Sequence, residues 1–252
     1  MFRRWISSCT FVLALTMACL FAGAATSSVI PTADAFVDSA TSPTDRTNQN
    51  FGAAGALGVA GTSAPNGQFL SVLRFDLTST KTIFDSTYGA GNWTITNATL
   101  QLVAQPNNNA IFNSPSTAGQ VTALWQADDT WIEGTGSPTT PGATGITWNT
   151  LPASIGGSDE TIGSFPFTNA TSGTTVYPLT LTTGFTSDLS AGGLVSLRMA
   201  PGDANVAVLF ASTNNPNNGG ANRPVLTITA VPEPGTLMLI AATPALLLRR
   251  KR

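Results

Sequence analysis

Asp128, Asp129 and Glu133 are the densest group of carboxylates in the chain, and they cluster around Trp131. Two carboxylates about 5–10 Å apart are the machinery of glycosidic-bond hydrolysis. The same oxygens, helped by asparagine and backbone carbonyls, suit a calcium ion. They suit equally well a solvated turn between a strand ending at Trp125 and another starting near Trp131. All three readings are open at this point. Trp131 and Trp148 flank a long polar stretch and are expected to expose their rings. An exposed indole is a platform for a sugar, whose axial C–H groups meet the negative π-face. Trp125 is expected to face inward. Arg74 and Asp76 stand two residues apart and are expected on one strand face, where they could form a partly buried ion pair.

Composition narrows the chemistry further. The chain has 252 residues, 11 basic, 13 acidic, no histidine and two cysteines, Cys9 and Cys19. Residues 26–231 hold five basic side chains (Arg46, Arg74, Lys81, Arg198 and Arg223) against twelve acidic ones, a net of −7. A body without histidine or cysteine cannot build a Ser-His-Asp or Cys-His site, a disulfide or an ordinary zinc site. Its scattered cations give no basic footprint, so no nucleic-acid partner is expected. What remains is oxygen chemistry: carboxylates, hydroxyls, amides and calcium.

These residues must be positioned by strands. Gly, Pro, Asn, Ser and Thr recur throughout the body, and they break helices or favour turns. Period-2 runs appear at Ala33–Val37, Phe69–Leu77, Trp93–Ala104, Val121–Trp125, Tyr177–Leu181, Val195–Met199 and Val206–Phe210, with Leu226 and Ile228 in the last strand. In the clearest run Phe69, Leu73, Phe75 and Leu77 point one way with Ser71, and Leu70, Val72, Arg74 and Asp76 the other. Eight to ten strands with essentially no helix predict an all-β fold, a single antiparallel β-sandwich of jelly-roll type. Residues 105–119 and 133–175 read as long loops.

The two ends read as addresses. Arg3 and Arg4, the apolar run Phe11–Ala22 and the small residues Ala22-Gly23-Ala24 form a secretory signal, with signal peptidase expected to cut after Ala24. At the other end Val231-Pro232-Glu233-Pro234-Gly235 precedes an apolar run, Thr236–Leu248, and then Arg249, Arg250, Lys251 and Arg252. The run is about 20 Å long as a helix, short of the roughly 20 residues of a stable span. It suits transient inner-membrane anchoring, with the basic cluster held on the cytoplasmic side. Domains are therefore expected at 1–24 (signal), 25–230 (sandwich) and 231–252 (tail).

Pro232-Glu233-Pro234, a short apolar helix and a basic end together resemble the PEP-CTERM sorting signal of Gram-negative bacteria that make extracellular polysaccharide. The resemblance implies processing by an exosortase, a membrane transpeptidase. Along the body, a second series runs in order: Ala33-Asp34-Ala35-Phe36-Val37, Asn50-Phe51-Gly52, Leu57-Gly58-Val59 and Leu73-Arg74-Phe75-Asp76-Leu77. It continues with Ile95–Leu102, Trp131-Ile132-Glu133-Gly134, Ile146-Thr147-Trp148-Asn149, Phe210-Ala211-Ser212 and Arg223-Pro224-Val225-Leu226. This series resembles the DNRLRE (disaggregatase-related) β-sandwich domain, which is similar to carbohydrate-binding modules. The resemblance implies an exported, non-catalytic surface or matrix protein that binds extracellular polysaccharide. It also implies Asp34 as a candidate ligand for a structural calcium beside Asp128 and Asp129, although an exposed acid on an edge strand fits Asp34 as well. The alternatives are a polysaccharide-cleaving enzyme using Asp128, Asp129 or Glu133, and a spacer without a ligand.

Overall fold

Alternating residues become strands because one face of each finds an apolar interior. The computed structural model describes residues 23–233 apart from 106–110, 114 and 168–172. Among these residues there are eleven strands: β1 Ala25–Val29, β2 Ala33–Asp38, β3 Ala56–Ala60, β4 Phe69–Asp76, β5 Trp93–Ala104, β6 Gly119–Gln126, β7 Glu160–Phe167, β8 Gly173–Leu179, β9 Leu194–Pro201, β10 Ala207–Ala211 and β11 Val225–Pro232. All pair antiparallel, in the order β1-β11-β5-β10-β3-β4-β9-β6-β7, with β2 also on β4 and β8 also on β5. Two joints in this array are single residue pairs, Phe210 with Ala104 and Ala60 with Phe69. The array creases there into two layers, β1-β11-β5-β8 and β2-β4-β9-β6-β7, with the β3–β10 ribbon between them.

The main core fills the space between the layers. Leu100, Leu102, Leu226 and Ile228 from the first layer meet Leu73, Phe75, Val121, Ala123, Leu197 and Met199 from the second. The expected all-β sandwich is therefore present, and the inward set of β4 is the one its alternation predicts. Ser71, also inward, is satisfied by donating to the Gly58 carbonyl at 2.7 Å.

Two expectations need correction. The body does contain helix: α1 Thr78–Tyr88 and α2 Thr183–Ala191. Each buries a minimal pair four residues apart, Thr80 and Phe84 in one, Phe185 and Leu189 in the other. Two buried positions among threonines and serines are too few to show as a helical period. Local chemistry starts both. The Asp76 carboxylate accepts the Thr78 N–H at 2.9 Å, and the Glu160 carboxylate accepts the Gly184 and Phe185 N–H groups at 3.0 Å each, at the positive end of α2.

The stretch 133–175 is also more than loop, because β7 and the start of β8 lie in it. A register shift opposite Ala123 and Leu124 in β6 breaks the alternation of β7, so its inward residues Ile162 and Phe165 fall three apart. The rest of the preceding connection, residues 127–155, lies over the outer face of the second layer. There Trp131, Ile146 and Leu151 pack on Ala33, Ala35, Val37 and Val72.

At the ends, β1 begins directly after Ala24. β11 runs to Pro232, opposite Trp93, two residues past the expected boundary, and the Glu233 N–H donates to the Asn92 carbonyl at 2.9 Å. The signal up to residue 22, Pro234, and Arg249, Arg250, Lys251 and Arg252 lie outside the described residues.

Candidate functional site

The covering segment carries most of the residues singled out by chemistry, and it disperses the three acids. The Asp128 carboxylate accepts the Thr130 N–H at 2.8 Å and its hydroxyl at 2.7 Å, which hold it below the usual carboxylate range. It closes a turn. Asp129 lies inward beside Ser196, with the charges of Asp188 and Asp128 against it and Arg74 for it. Burial pushes its carboxyl up to about 6, and its Oδ1 has no hydrogen-bond partner. Glu133 turns toward β2, where its Oε1 accepts the Asp34 N–H at 3.2 Å and the Asn214 amide at 3.3 Å. Burial raises it as well. Among the described residues no three Asp, Glu, His or Cys side chains converge as a metal group, so Asp34 is not brought together with Asp128 and Asp129.

Trp131 does not expose its ring as expected. It is 5% exposed, its indole N–H donates to Ser196 Oγ at 3.0 Å, and the Arg74 guanidinium lies 4.9 Å from the ring centroid. The physical reason is the second apolar layer. Val72, Ala33 and Ala35 face outward from small or branched residues, and a large ring is needed to cover them. The expected pairing of Arg74 with Asp76 is absent too. Arg74 Nη1 donates to the Asp129 and Trp131 carbonyls at 2.9 and 2.6 Å, while Asp76 caps the start of α1. Trp125 faces inward as expected, and its N–H donates to Asp188 Oδ2 at 2.8 Å.

Trp148 keeps part of its surface. It packs on the edge of the same apolar cluster while remaining half-buried. Its neighbour Asn149 is exposed. The Asn149 amide donates to Thr47 Oγ1 at 3.1 Å and Asn48 Oδ1 at 2.9 Å, and its N–H donates to the Thr47 carbonyl at 3.0 Å. A half-covered indole beside exposed amides and hydroxyls is a surface that can stack on a sugar ring and hydrogen-bond its hydroxyls.

Two side chains that sequence reasoning left without a role organise the site. Asn50 is fully buried. Its Nδ2 donates to the Glu133 and Ile146 carbonyls at 2.5 and 2.8 Å, and its Oδ1 accepts the Gly52 and Gly136 N–H groups at 3.1 Å each. One asparagine thus pins both arms of the covering segment. Gly134 has φ of 76°, and a Cβ there would fall 2.3 Å from Asn50 Oδ1, leaving no room for any other residue. The second is Asn214, which bridges Glu133 Oε1 and the Gly52 carbonyl, the latter at 2.9 Å. The signal for Asn50 was the Asn50-Phe51-Gly52 motif, and Asn214 had none. That motif carries no periodicity, and its role shows only in three dimensions.

Comparison with known proteins places this architecture. No curated protein matches the chain. The family model described as carbohydrate-binding module family 96 matches residues 25–230, from the first residue of β1 almost to the end of β11. With a match over the whole sandwich, the chain belongs to carbohydrate-binding module family 96.

Proposed function

We propose that this protein is an exported, non-catalytic component of the cell surface or extracellular matrix that binds extracellular polysaccharide. The observation that carries this reading is the family match across the entire sandwich. The terminal motifs support export: a signal cut by signal peptidase after Ala24, and a PEP-CTERM tail that an exosortase removes near Pro232-Glu233-Pro234 after brief inner-membrane anchoring. The body then resembles the DNRLRE domain in role as well as in order of motifs. Binding rather than cleavage is supported by the separate commitments of Asp128, Asp129 and Glu133, since hydrolysis needs two carboxylates across one bond. The sugar platform is Trp148 with Asn48 and Asn149, and buried Trp131 serves as the support beneath the segment that carries it.

Retention on the producer's own matrix polysaccharide and on a glycan array tests the reading. Wild-type protein is retained, and Trp148→Ala weakens retention at least about ten-fold, the loss expected for an aromatic anchor. Release of reducing ends or unsaturated sugars from the same glycans would make the protein an enzyme. Lack of retention on every glycan leaves the spacer. Intact-mass measurement of protein from the native envelope tests the processing, and finding Arg252 there refutes the sorting signal.

A further inference from the structure

The end of the last strand belongs at once to the sandwich and to the sorting motif. β11 pairs with β5 as far as Pro232, which stands opposite Trp93, and the Glu233 N–H donates to the Asn92 carbonyl at 2.9 Å. This last rung is anchored by α1. Trp93 is buried, its indole N–H donates to Asp85 Oδ1 at 2.8 Å, and its ring lies 5.2 Å from that of Phe84. The hydroxyl of Tyr88, the last residue of α1, donates to the Ala230 carbonyl at 3.2 Å. The same end is the part of the sheet most easily opened. Between Thr229 and Ala230 the register skips Thr96 of β5, so the last three residues of β11 form a short ladder of their own. β1 stops at Ala230, which leaves Val231 and Pro232 paired on one side only. Pro232 has no N–H to give to the ladder. A short, one-sided end of this kind opens locally at far lower cost than the whole sandwich.

We infer that the folded sandwich latches the first half of its own sorting motif, and that the processing enzyme gains the motif only when residues 230–233 peel from β5. An extended segment is gripped largely through its main-chain groups. At Pro232 and Glu233 those groups face Trp93 and Asn92, while the Glu233 side chain is exposed. The closed form therefore offers the carboxylate and withholds the backbone. Opening and closing of so short an end is fast, so the rate of tail removal follows the population of the open form. The latch residues are Asn92 and Trp93 on β5 and Tyr88 on α1, and none of them belongs to the motif that the enzyme reads. The inference rests on the reading of the C-terminal tail as a removable sorting signal, and it is independent of glycan binding.

The test is the time course of tail loss, read by intact mass, in cells that carry the processing enzyme. Three forms of the full chain are compared, with wild type setting the rate. Insertion of Gly-Ser-Gly-Ser between Val231 and Pro232 lifts the motif off β5 and leaves the rungs up to Val231 in place. It should lose the tail at least about five-fold faster, the factor that corresponds to one backbone hydrogen bond. Thr94→Cys combined with Val231→Cys puts a disulfide across a directly opposed pair, whose Cα separation of about 4.5–5.5 Å suits the bond. After export into an oxidising compartment this form should lose the tail at least about five-fold more slowly, and a reductant should restore the wild-type rate. Hydrogen exchange on the full chain, purified from cells without the enzyme, reads the latch directly. The Glu233 N–H should be protected in wild type and should exchange freely in the insertion variant. Equal rates of tail loss from all three forms, or an unprotected Glu233 N–H in wild type, would overturn the latch and leave the sorting signal standing. A tail retained by all three forms, the freed one included, would remove the sorting signal and the inference with it.

Discussion

The two layers of the sandwich share a core and differ completely on their outer faces. The strands of the first layer, β1, β11, β5 and β8, contain no charged residue, and their outer face carries Thr26 and Ser28, Thr227 and Thr229, Asn97, Thr99 and Gln101, and the exposed Val176 opposite Gln101. Every charge carried by a strand lies in the second layer, on β2, β4, β7 and β9. That layer is covered, and its charges fasten the cover. Arg74 holds the carbonyls of Asp129 and Trp131. Arg198 lies 3.4 Å from Asp159, whose other oxygen accepts the Ala127 N–H at 3.3 Å, so one acid joins the two ends of the covering segment. An antiparallel sheet can leave one face in water with mostly hydroxyls and amides on it. A sheet face roofed by irregular chain must satisfy that chain's backbone groups, and long charged side chains rooted in the sheet do so here.

The largest expected effect comes from removing the ring that fills the roof. Trp131→Ala deletes a buried indole, its hydrogen bond to Ser196 and the partner of Arg74, and should cost about 3–5 kcal/mol. Urea unfolding would measure it. A cost below about 1 kcal/mol would mean that the covering segment is a loose flap and that the contrast between the faces is overstated.

A smaller effect is electrostatic. Burial holds the Asp129 carboxyl at about 6 when folded, against a usual value of 3.8, with Asp188 and Asp128 raising it and Ser196 and Arg74 opposing. The folded state therefore prefers the protonated form. Its stability contribution from this group is complete below about pH 3.8 and is lost as the pH rises through 6. The full shift corresponds to about 3 kcal/mol, and solvent screening of a half-buried group reduces this to about 1 kcal/mol. Comparing wild type with Asp129→Asn across pH 4–7 isolates the group. The variant should gain relative stability as the pH rises, and parallel curves would show that Asp129 is solvated.

How much of this was legible in the sequence follows from the same contrast. On the uncovered layer, alternation gave β5 and β11 correctly, because one face is core and the other is water. On β4 and β9 the inward set was also right, yet Arg74 was expected to pair with Asp76, when it and Ser196 lie beneath Trp131. Periodicity reports that two faces differ, and it is blind to what covers the second one. The covering segment itself has no period, since it is fixed by amide-to-carbonyl bonds such as those of Asn50 and by glycines such as Gly134 at positive φ. The candidate acids were correctly picked as a neighbourhood in sequence and wrongly grouped in space. A turn at Asp128–Thr130 sends Asp129 and Glu133 toward different partners, and Glu133 meets the Asp34 main chain, 99 residues away in sequence.

The smallest effect belongs on the uncovered face, where it sharpens the comparison most. Thr227 lies in the middle of that face, with its hydroxyl 2.8 Å from that of Ser28 on β1 and its backbone opposite Thr99 on β5. Both hydroxyls of the pair are reached by water, so breaking the bond exchanges it for bonds to solvent. Thr227→Ala should change stability by no more than about 0.5 kcal/mol in urea unfolding. It should also leave glycan retention unchanged, because the proposed platform at Trp148 is on the roof of the other layer. A loss of more than about 1 kcal/mol would mean that this face is covered by something in the folded protein. Unchanged stability with lost retention would move the sugar site onto the hydroxyl-lined face itself, making the bare layer the binding layer and the roofed one its scaffold.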